Sequence, residues 1–164
     1  MSFVNSENIR KAYLGKHAQD LILKSSQQVL EVYQHRGIII PVVVSSTMQF
    51  LNRQDGASLA DIARALSLPH QLVAQRIDKL RKLDLVEGRA DKTDRRRTEY
   101  HLNDEGRDQA QRLRQCMEDM AHIYGDLYKE IECDLAQKLL DGIQALERTP
   151  LLKRFEEKFP QNEV

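Results

Sequence analysis

The order of apolar and polar positions divides this chain into long helical stripes at both ends and a shorter, mixed rhythm between them. Leu14, Ala18, Leu21, Ser25, Val29 and Val32 recur at helical spacing, flanked by Ile9, Tyr13, Ile22 and Tyr33. Such a stripe predicts an amphipathic helix ending near His35. Ser6 or Asn8 can cap its start, and Gly37 can end it in a left-handed conformation. The run that follows, Ile38-Ile39-Ile40, is too short for its period to separate helix from strand. Towards the other end, Leu113, Met117, Met120, Tyr124, Leu127 and Ile131 are spaced alternately four and three apart. That is a coiled-coil seam, which needs a partner surface. A break near Cys133-Asp134 precedes a stripe of Leu135, Leu139, Ile143 and Leu146. Thr149-Pro150 stops that helix, and Leu152, Phe155 and Phe159 mark a last short one.

The middle of the chain reads as two short helices and a hairpin. Ser58-Leu59-Ala60-Asp61 has the form of a capping box, in which serine and aspartate satisfy each other's amides at a helix start. Leu59, Ile62, Ala63 and Leu66 then repeat at helical spacing. Pro69 cannot extend that helix, because it lacks an amide hydrogen and clashes with the preceding turn; it suits the first turn of the next one. Val73, Ile77 and Leu80 share one face of this second helix. Two short helices across a tight turn make a helix-turn-helix. Leu85-Val86-Glu87 is strand-like, Gly88 to Arg97 is polar and basic, and Thr98 to Leu102 alternates with β-formers. After a helix-turn-helix, such a hairpin is a wing.

Charge changes this picture more than composition does. The 164 residues are 41% hydrophobic and 30% charged, and this length suits one domain, or one domain with a dimerisation extension. The net charge of zero hides an uneven distribution. Pro69 to Arg97 holds nine basic and five acidic residues, whereas Asp126 to Val164 holds six basic and nine acidic. A local basic surface on a neutral protein attracts phosphates, while the acidic end discourages indiscriminate binding. No apolar run approaches the roughly 20 residues of a membrane span. The start lacks the basic-then-apolar order of a secretory signal, so a cytoplasmic protein with no membrane partner is expected. Cys116 and Cys133 form no disulfide framework. Glu132 and Asp134 disfavour a thiolate at Cys133, and both cysteines read as structural thiols.

No catalytic constellation is present: the sequence has no G-x-S-x-G, no phosphate-cradling glycine loop and no H-E-x-x-H. His17, His35, His70, His101 and His122 are dispersed without ligand spacing. The expectation is therefore a protein that is not an enzyme, with no cofactor and no metal.

Leu59-Ala60-Asp61-Ile62-Ala63, Ile77-Asp78-Lys79-Leu80, Leu85-Val86-Glu87, Asp94-Arg95-Arg96 and Leu102-Asn103-Asp104-Glu105-Gly106 stand in one ungapped register. On these pieces, residues 59–106 resemble the core of the MarR family of winged-helix transcriptional regulators. The resemblance implies a mostly α fold with a small β-wing. It implies an N-terminal dimerisation helix over 1–36, a winged helix-turn-helix over 37–103 and C-terminal dimerisation helices over 104–164. Its expected partners are a second copy of the chain, double-stranded DNA and a small-molecule effector. Its register also places a helix from about Pro41 to Asn52, with Val43, Thr47, Phe50 and Leu51 beneath the helix-turn-helix. The chain departs from the family at Pro69-His70-Gln71, where Ser-Arg-Pro is usual, at Asp84, where glycine is usual, and at Ser45, where a larger apolar residue is common.

With Val73, Ile77 and Leu80 turned inward, a 100° step puts Gln71, Gln75, Asp78, Lys79 and Lys82 outward, with His70 and Ala74 at the edge. Base contacts usually come from the first turns of a recognition helix, so Gln71 and Gln75 are the candidate readers and His70 a base or phosphate contact. Arg76 and Lys79 are candidate phosphate contacts, which position without specifying. The wing tip offers Lys92, Arg95, Arg96 and Arg97 to a narrow minor groove, where the potential is most negative. The family pairs its wing aspartate with an arginine. Here Asp94 takes that role, with Arg96 its expected partner and Arg95 or Arg97 expected to reach DNA. Tyr13, His17 and Ser45 are the expected lining of an effector pocket. A competing function is a winged-helix module that binds an acidic protein; two outward glutamines favour DNA, because glutamine offers adenine both a donor and an acceptor.

Overall fold

A computed structural model describes residues 10–54, 56–90 and 97–160. The wing-tip residues Lys92, Asp94, Arg95 and Arg96 lie outside the described residues, as do the expected N-terminal caps Ser6 and Asn8. The architecture is mostly helical with a small antiparallel wing: a 3-10 turn Lys11–Tyr13, α1 Leu14–His35, a 3-10 turn Val42–Val44, α2 Ser45–Arg53, α3 Leu59–Leu66, α4 His70–Lys82, β1 Val86–Ala90, β2 Thr98–Leu102, α5 Asp104–Glu130, α6 Leu135–Arg148 and α7 Leu151–Lys158. Two compact units divide the chain between Met117 and Glu118.

In the first unit, α1 ends as its sequence requires. Gly37 has φ 65°, and the Ile38 amide reaches back to the Tyr33 carbonyl at 2.8 Å, which satisfies a terminal acceptor. The segment from Pro41 differs from the expected helix. Pro41 is extended (φ −63°, ψ 143°) and Val42–Val44 forms a 3-10 turn before α2 begins. A 3-10 turn advances three residues per turn rather than 3.6, so the inward phase shifts by one position. Val44 is fully buried and Val43 is 51% exposed. Thr47 and Leu51 are buried as expected.

The capping box opens α3: the Asp61 amide donates to Ser58 Oγ at 3.3 Å, and the Ser58 amide donates to Asp61 Oδ2 at 3.3 Å. Ser67 (φ 52°) closes it in the left-handed region. Pro69 stands immediately before α4, one position earlier than expected. Val73, Ile77 and Leu80 are at most 2% exposed. Burying three such side chains stabilises this rotation of α4 by about 5–9 kcal/mol, which outweighs any gain from turning its polar face inward. Asp84 (φ 53°) takes the left-handed turn where glycine would be easier.

The two strands pair antiparallel, Val86 with Leu102, Gly88 with Tyr100 and Ala90 with Thr98. Tyr100 also bridges to Ala57, its amide donating to the Ala57 carbonyl at 2.9 Å and its carbonyl accepting from Ala57 at 3.2 Å. The wing is thereby attached to the residue just before the capping box. Asn103 ends the hairpin and starts α5. Its Oδ1 accepts from the Gly106 amide at 2.8 Å, and its Nδ2 donates to the Asp84 carbonyl at 2.7 Å. The first turns of α5 are tied to the rest of this unit by Gln109, which is 3% exposed. Its Oε1 accepts from the Ile39 amide at 3.0 Å, and its Nε2 donates to the Gly37 carbonyl at 3.2 Å. Gln49 of α2 donates to the Ala110 carbonyl at 2.9 Å.

The second unit, from Glu118, holds the rest of α5 with α6 and α7. Asp134 caps α6 by accepting from the Gln137 amide at 2.9 Å, where the sequence breaks its stripe. Arg154 of α7 donates to the carbonyls of Thr149 and Ala145, each at 2.8 Å, and so fixes the turn at Pro150. Ile123, Leu127, Leu140, Ile143, Leu152 and Phe155 are between 39% and 68% exposed. No described helix is long and apolar enough to cross a membrane.

Candidate nucleic-acid interface

The inward clamp of α4 decides what its other face presents. His70, Gln71, Gln75, Asp78, Lys79 and Lys82 are exposed, and Ala74 is half-buried. Lys82 pairs with Asp78 at 2.8 Å along the helix, which leaves Gln71, Gln75 and Lys79 as the outward polar edge. Leu72, 37% exposed beside them, is a residue that sequence reasoning missed. Its apolar side chain could contact a thymine methyl, but a leucine in a helix-turn-helix gives no signal that separates it from core.

Arg76 is placed differently from its expected role. It is half-buried, and its Nη1 donates to Ser46 Oγ at 3.0 Å. Its Nε is buried with no hydrogen-bond partner among the described residues. This arginine braces α4 against the start of α2 instead of standing out towards solvent.

Arg97, at the base of the wing, is held by the helix-turn-helix. Its Nη2 donates to Asp61 Oδ2 at 2.9 Å and to Ser58 Oγ at 3.0 Å. The Ser58 hydroxyl bonded to Asp61 Oδ2 at 2.6 Å, with Arg97 and Arg64 nearby, holds the Asp61 carboxyl below its ordinary pKa. Ser58, Leu59, Ala60, His70, Arg97, Thr98 and Tyr100 line an open cleft of about 280 Å³. The start of α3, the first residue of α4 and the wing base thus face one concave surface. Asp61 is the further functional residue here: the sequence shows it as a cap, and its partner lies 36 positions away.

The expected effector pocket is not assembled within one chain. Ser45 Oγ donates to the Val42 carbonyl at 2.7 Å, so the Tyr33 hydroxyl is the donor in their 2.9 Å bond. Tyr33 and His17 lie on one continuous helix, 16 residues apart, which at 1.5 Å per residue is roughly 24 Å. Tyr13 lies farther still. Tyr13, His17 and Ser45 therefore cannot line one small cavity on the same chain. A second cleft of about 250 Å³ lies at Leu51, Gly56, His101 and Arg107. No group of three or more metal-binding side chains occurs among the described residues.

Residues 40–97 match the profile of the MarR family. The chain is similar in fold to the adhesin competence repressor AdcR of Streptococcus pyogenes, at 19% identity and a TM-score of 0.56, over 84% of this chain and 97% of that one. A mutant of MepR from S. aureus is 22% identical, with a TM-score of 0.54, over 82% and 97%. YusO of Bacillus subtilis is 17% identical, with a TM-score of 0.52, over 88% and 99%. No curated protein matches the chain in sequence.

Proposed function

We propose that this chain, whose residues 40–97 match the profile of the MarR family, is a dimeric, sequence-specific DNA-binding regulator of transcription. The observation that carries this reading is the outward edge of α4. Gln71, Gln75 and Lys79 are exposed on a helix whose rotation is fixed by three buried side chains, beside a wing rooted in the same unit. An α-helix of this kind fits the major groove, and the two glutamines suit A·T pairs in each half-site. His70 and Lys79 serve as positioning contacts, with Lys92, Arg95 and Arg96 supplying the wing tip.

Assembly as a dimer is supported by apolar side chains left uncovered in the single chain, including Leu14 and Ile22 on α1 and Ile143 and Phe155 on α6 and α7, each more than half exposed. Monomeric proteins rarely leave so much apolar surface in water. A two-fold dimer binds an inverted repeat with half-sites about 10 base pairs apart. Repression is the favoured outcome, as the name of the adhesin competence repressor AdcR states for that protein. Release by a small ligand requires that the ligand bind the non-binding spacing of the two recognition helices better, and a thermal-shift screen of metabolites tests it.

Selection from random duplex DNA tests the central reading. An inverted repeat with A·T pairs at the positions lost in Gln71→Ala and Gln75→Ala supports it. Binding with no sequence preference, or capture of an acidic protein in place of DNA, overturns it.

A further inference from the structure

The charged end of Arg97, at the base of the wing, lies on the helix-turn-helix itself. Two attachments join the wing to the start of α3. One is the backbone bridge between Tyr100 and Ala57. The other is the Arg97 guanidinium on Asp61 and Ser58. Arg97 stands three positions before Tyr100, immediately before β2, roughly 10 Å along an extended chain. The root of the hairpin is buried at Val86 and Leu102, and a backbone bridge at Tyr100 alone leaves its outer end room to swing. The second attachment ties the outer end of the hairpin to Ser58 and Asp61. Asp61 is suited to receive it, because its own cap bonds to Ser58 already fix the carboxylate in place.

We propose that Arg97 is a positioning residue of the DNA interface, setting the angle of the wing to α4 through Asp61 and Ser58 rather than contacting DNA. The proposal rests on the DNA-binding reading above, and it reverses the simpler expectation for a wing arginine. An arginine that swung out to phosphate would give up its Asp61 and Ser58 contacts and expose the Asp61 carboxylate beside the DNA. Repulsion between that carboxylate and phosphate opposes the exchange. With the pair intact, Asp61 is neutralised where the duplex passes, and His70 in the same cleft keeps its access.

The two roles give opposite signatures in a double-mutant cycle on the full-length protein, with Arg97→Gln, Asp61→Asn and the double variant. Asn at 61 retains an oxygen for the cap. In the positioning role, each single variant binds the selected duplex about fivefold more weakly, as two exposed ion pairs per dimer would give. The double variant is no weaker than either single one. The slope of log affinity against log salt stays at the wild-type value, because no phosphate contact is lost. Arg97→Lys recovers part of the loss. A salt slope reduced by about one per arginine, tighter binding by Asp61→Asn, or unchanged affinity in Arg97→Gln each overturns the proposal. Amide exchange at Ala57 and Tyr100 gives a readout that needs no DNA: exchange speeds up in Arg97→Gln if the wing pivots, and unchanged exchange overturns the proposal. Failure of the wild-type protein to bind any duplex sinks the DNA-binding reading instead, while the exchange experiment still judges the wing contact.

Discussion

Replacing Gln109 by methionine isolates the hydrogen bonds that fasten α5 to the turn after α1. Methionine has nearly the same length and volume, so the change leaves no cavity of consequence. What it removes is one acceptor for the Ile39 amide and one donor to the Gly37 carbonyl. Gln109 is 3% exposed, so its own amide is satisfied in the folded chain and needs no water. After substitution, two backbone groups lose their partner. A net hydrogen bond contributes about 0.5–1.5 kcal/mol, and a buried group left unsatisfied costs about 1–3 kcal/mol. The Ile39 side chain is 54% exposed, so water can reach part of this turn and the lower figures apply there. The expected loss is therefore about 2–3 kcal/mol, less than the sum of two full penalties.

Urea unfolding of Gln109→Met, at the same protein concentration as wild type, measures that loss. Amide exchange at Ile39 shows where it arises, since its protection should fall while that of the α4 amides changes only with global stability. The mechanical consequence is for DNA binding. The turn at Gly37–Ile39 joins α1 to the reader elements, and Gln49 grips the same part of α5 at the Ala110 carbonyl. Loosening one of two grips should weaken affinity for a two-half-site operator more than affinity for a single half-site. A stability change below about 0.5 kcal/mol together with full protection of Ile39 would refute this account, because it would show that water replaces the glutamine at no cost.

Gly106→Ala should destabilise the first unit by about 1–3 kcal/mol in thermal or chemical unfolding, because its Cβ would stand 2.1 Å from the Leu85 carbonyl oxygen, a backbone atom that cannot step aside alone. Thr47→Val should stabilise by about 1 kcal/mol in the same assay, since the Thr47 hydroxyl is fully buried with no hydrogen-bond partner among the described residues. Asp61 has a depressed folded pKa, so its contribution to stability is fully present above the ordinary carboxylate range and is lost as pH falls through its lower folded value; NMR titration of its carboxyl should show protonation shifted to more acid pH, and the shift should shrink most in Ser58→Ala. Leu127→Asp should leave the helicity of the chain unchanged and dissociate the dimer in sedimentation, because Leu127 is already 39% exposed in the single chain but would meet an apolar partner surface in the assembly.

What the sequence disclosed of this fold is what local chemistry controls. The capping box, the left-handed Gly37 and the strand Thr98–Leu102 each depend on residues within a few positions of one another, and each stands where it was expected. The outward face of α4 was legible for the same reason, since three apolar residues fix a helix's rotation wherever it packs. The shift at Val43 and Val44 was not legible, because three consecutive valines carry no phase of their own and the extended Pro41 set it. The placements of Arg76 and Arg97 were not legible either. A surface arginine has the same pattern whether it serves DNA or another element, and the partners Ser46 and Asp61 lie 30 and 36 residues away.

The seam of α5 shows how a periodic stripe can be read correctly and still leave its partner unnamed. Leu113 is fully buried and Met120 is 7% exposed in the single chain, whereas Met117, Leu127 and Ile131 are 38–44% exposed. Spacing of four and three tells that one face seeks burial, and it says the same of every position on that face. Which positions the chain covers by itself depends on Ala110 and Cys116, which sit on the same side of the helix and are buried with Leu113. A charge introduced at Met120 would therefore strike the core of the chain as well as any interface, and a lost dimer could not be told from a lost fold. At Leu127 the single chain has already left the side chain partly in water. A penalty at that position measures only what a second copy adds.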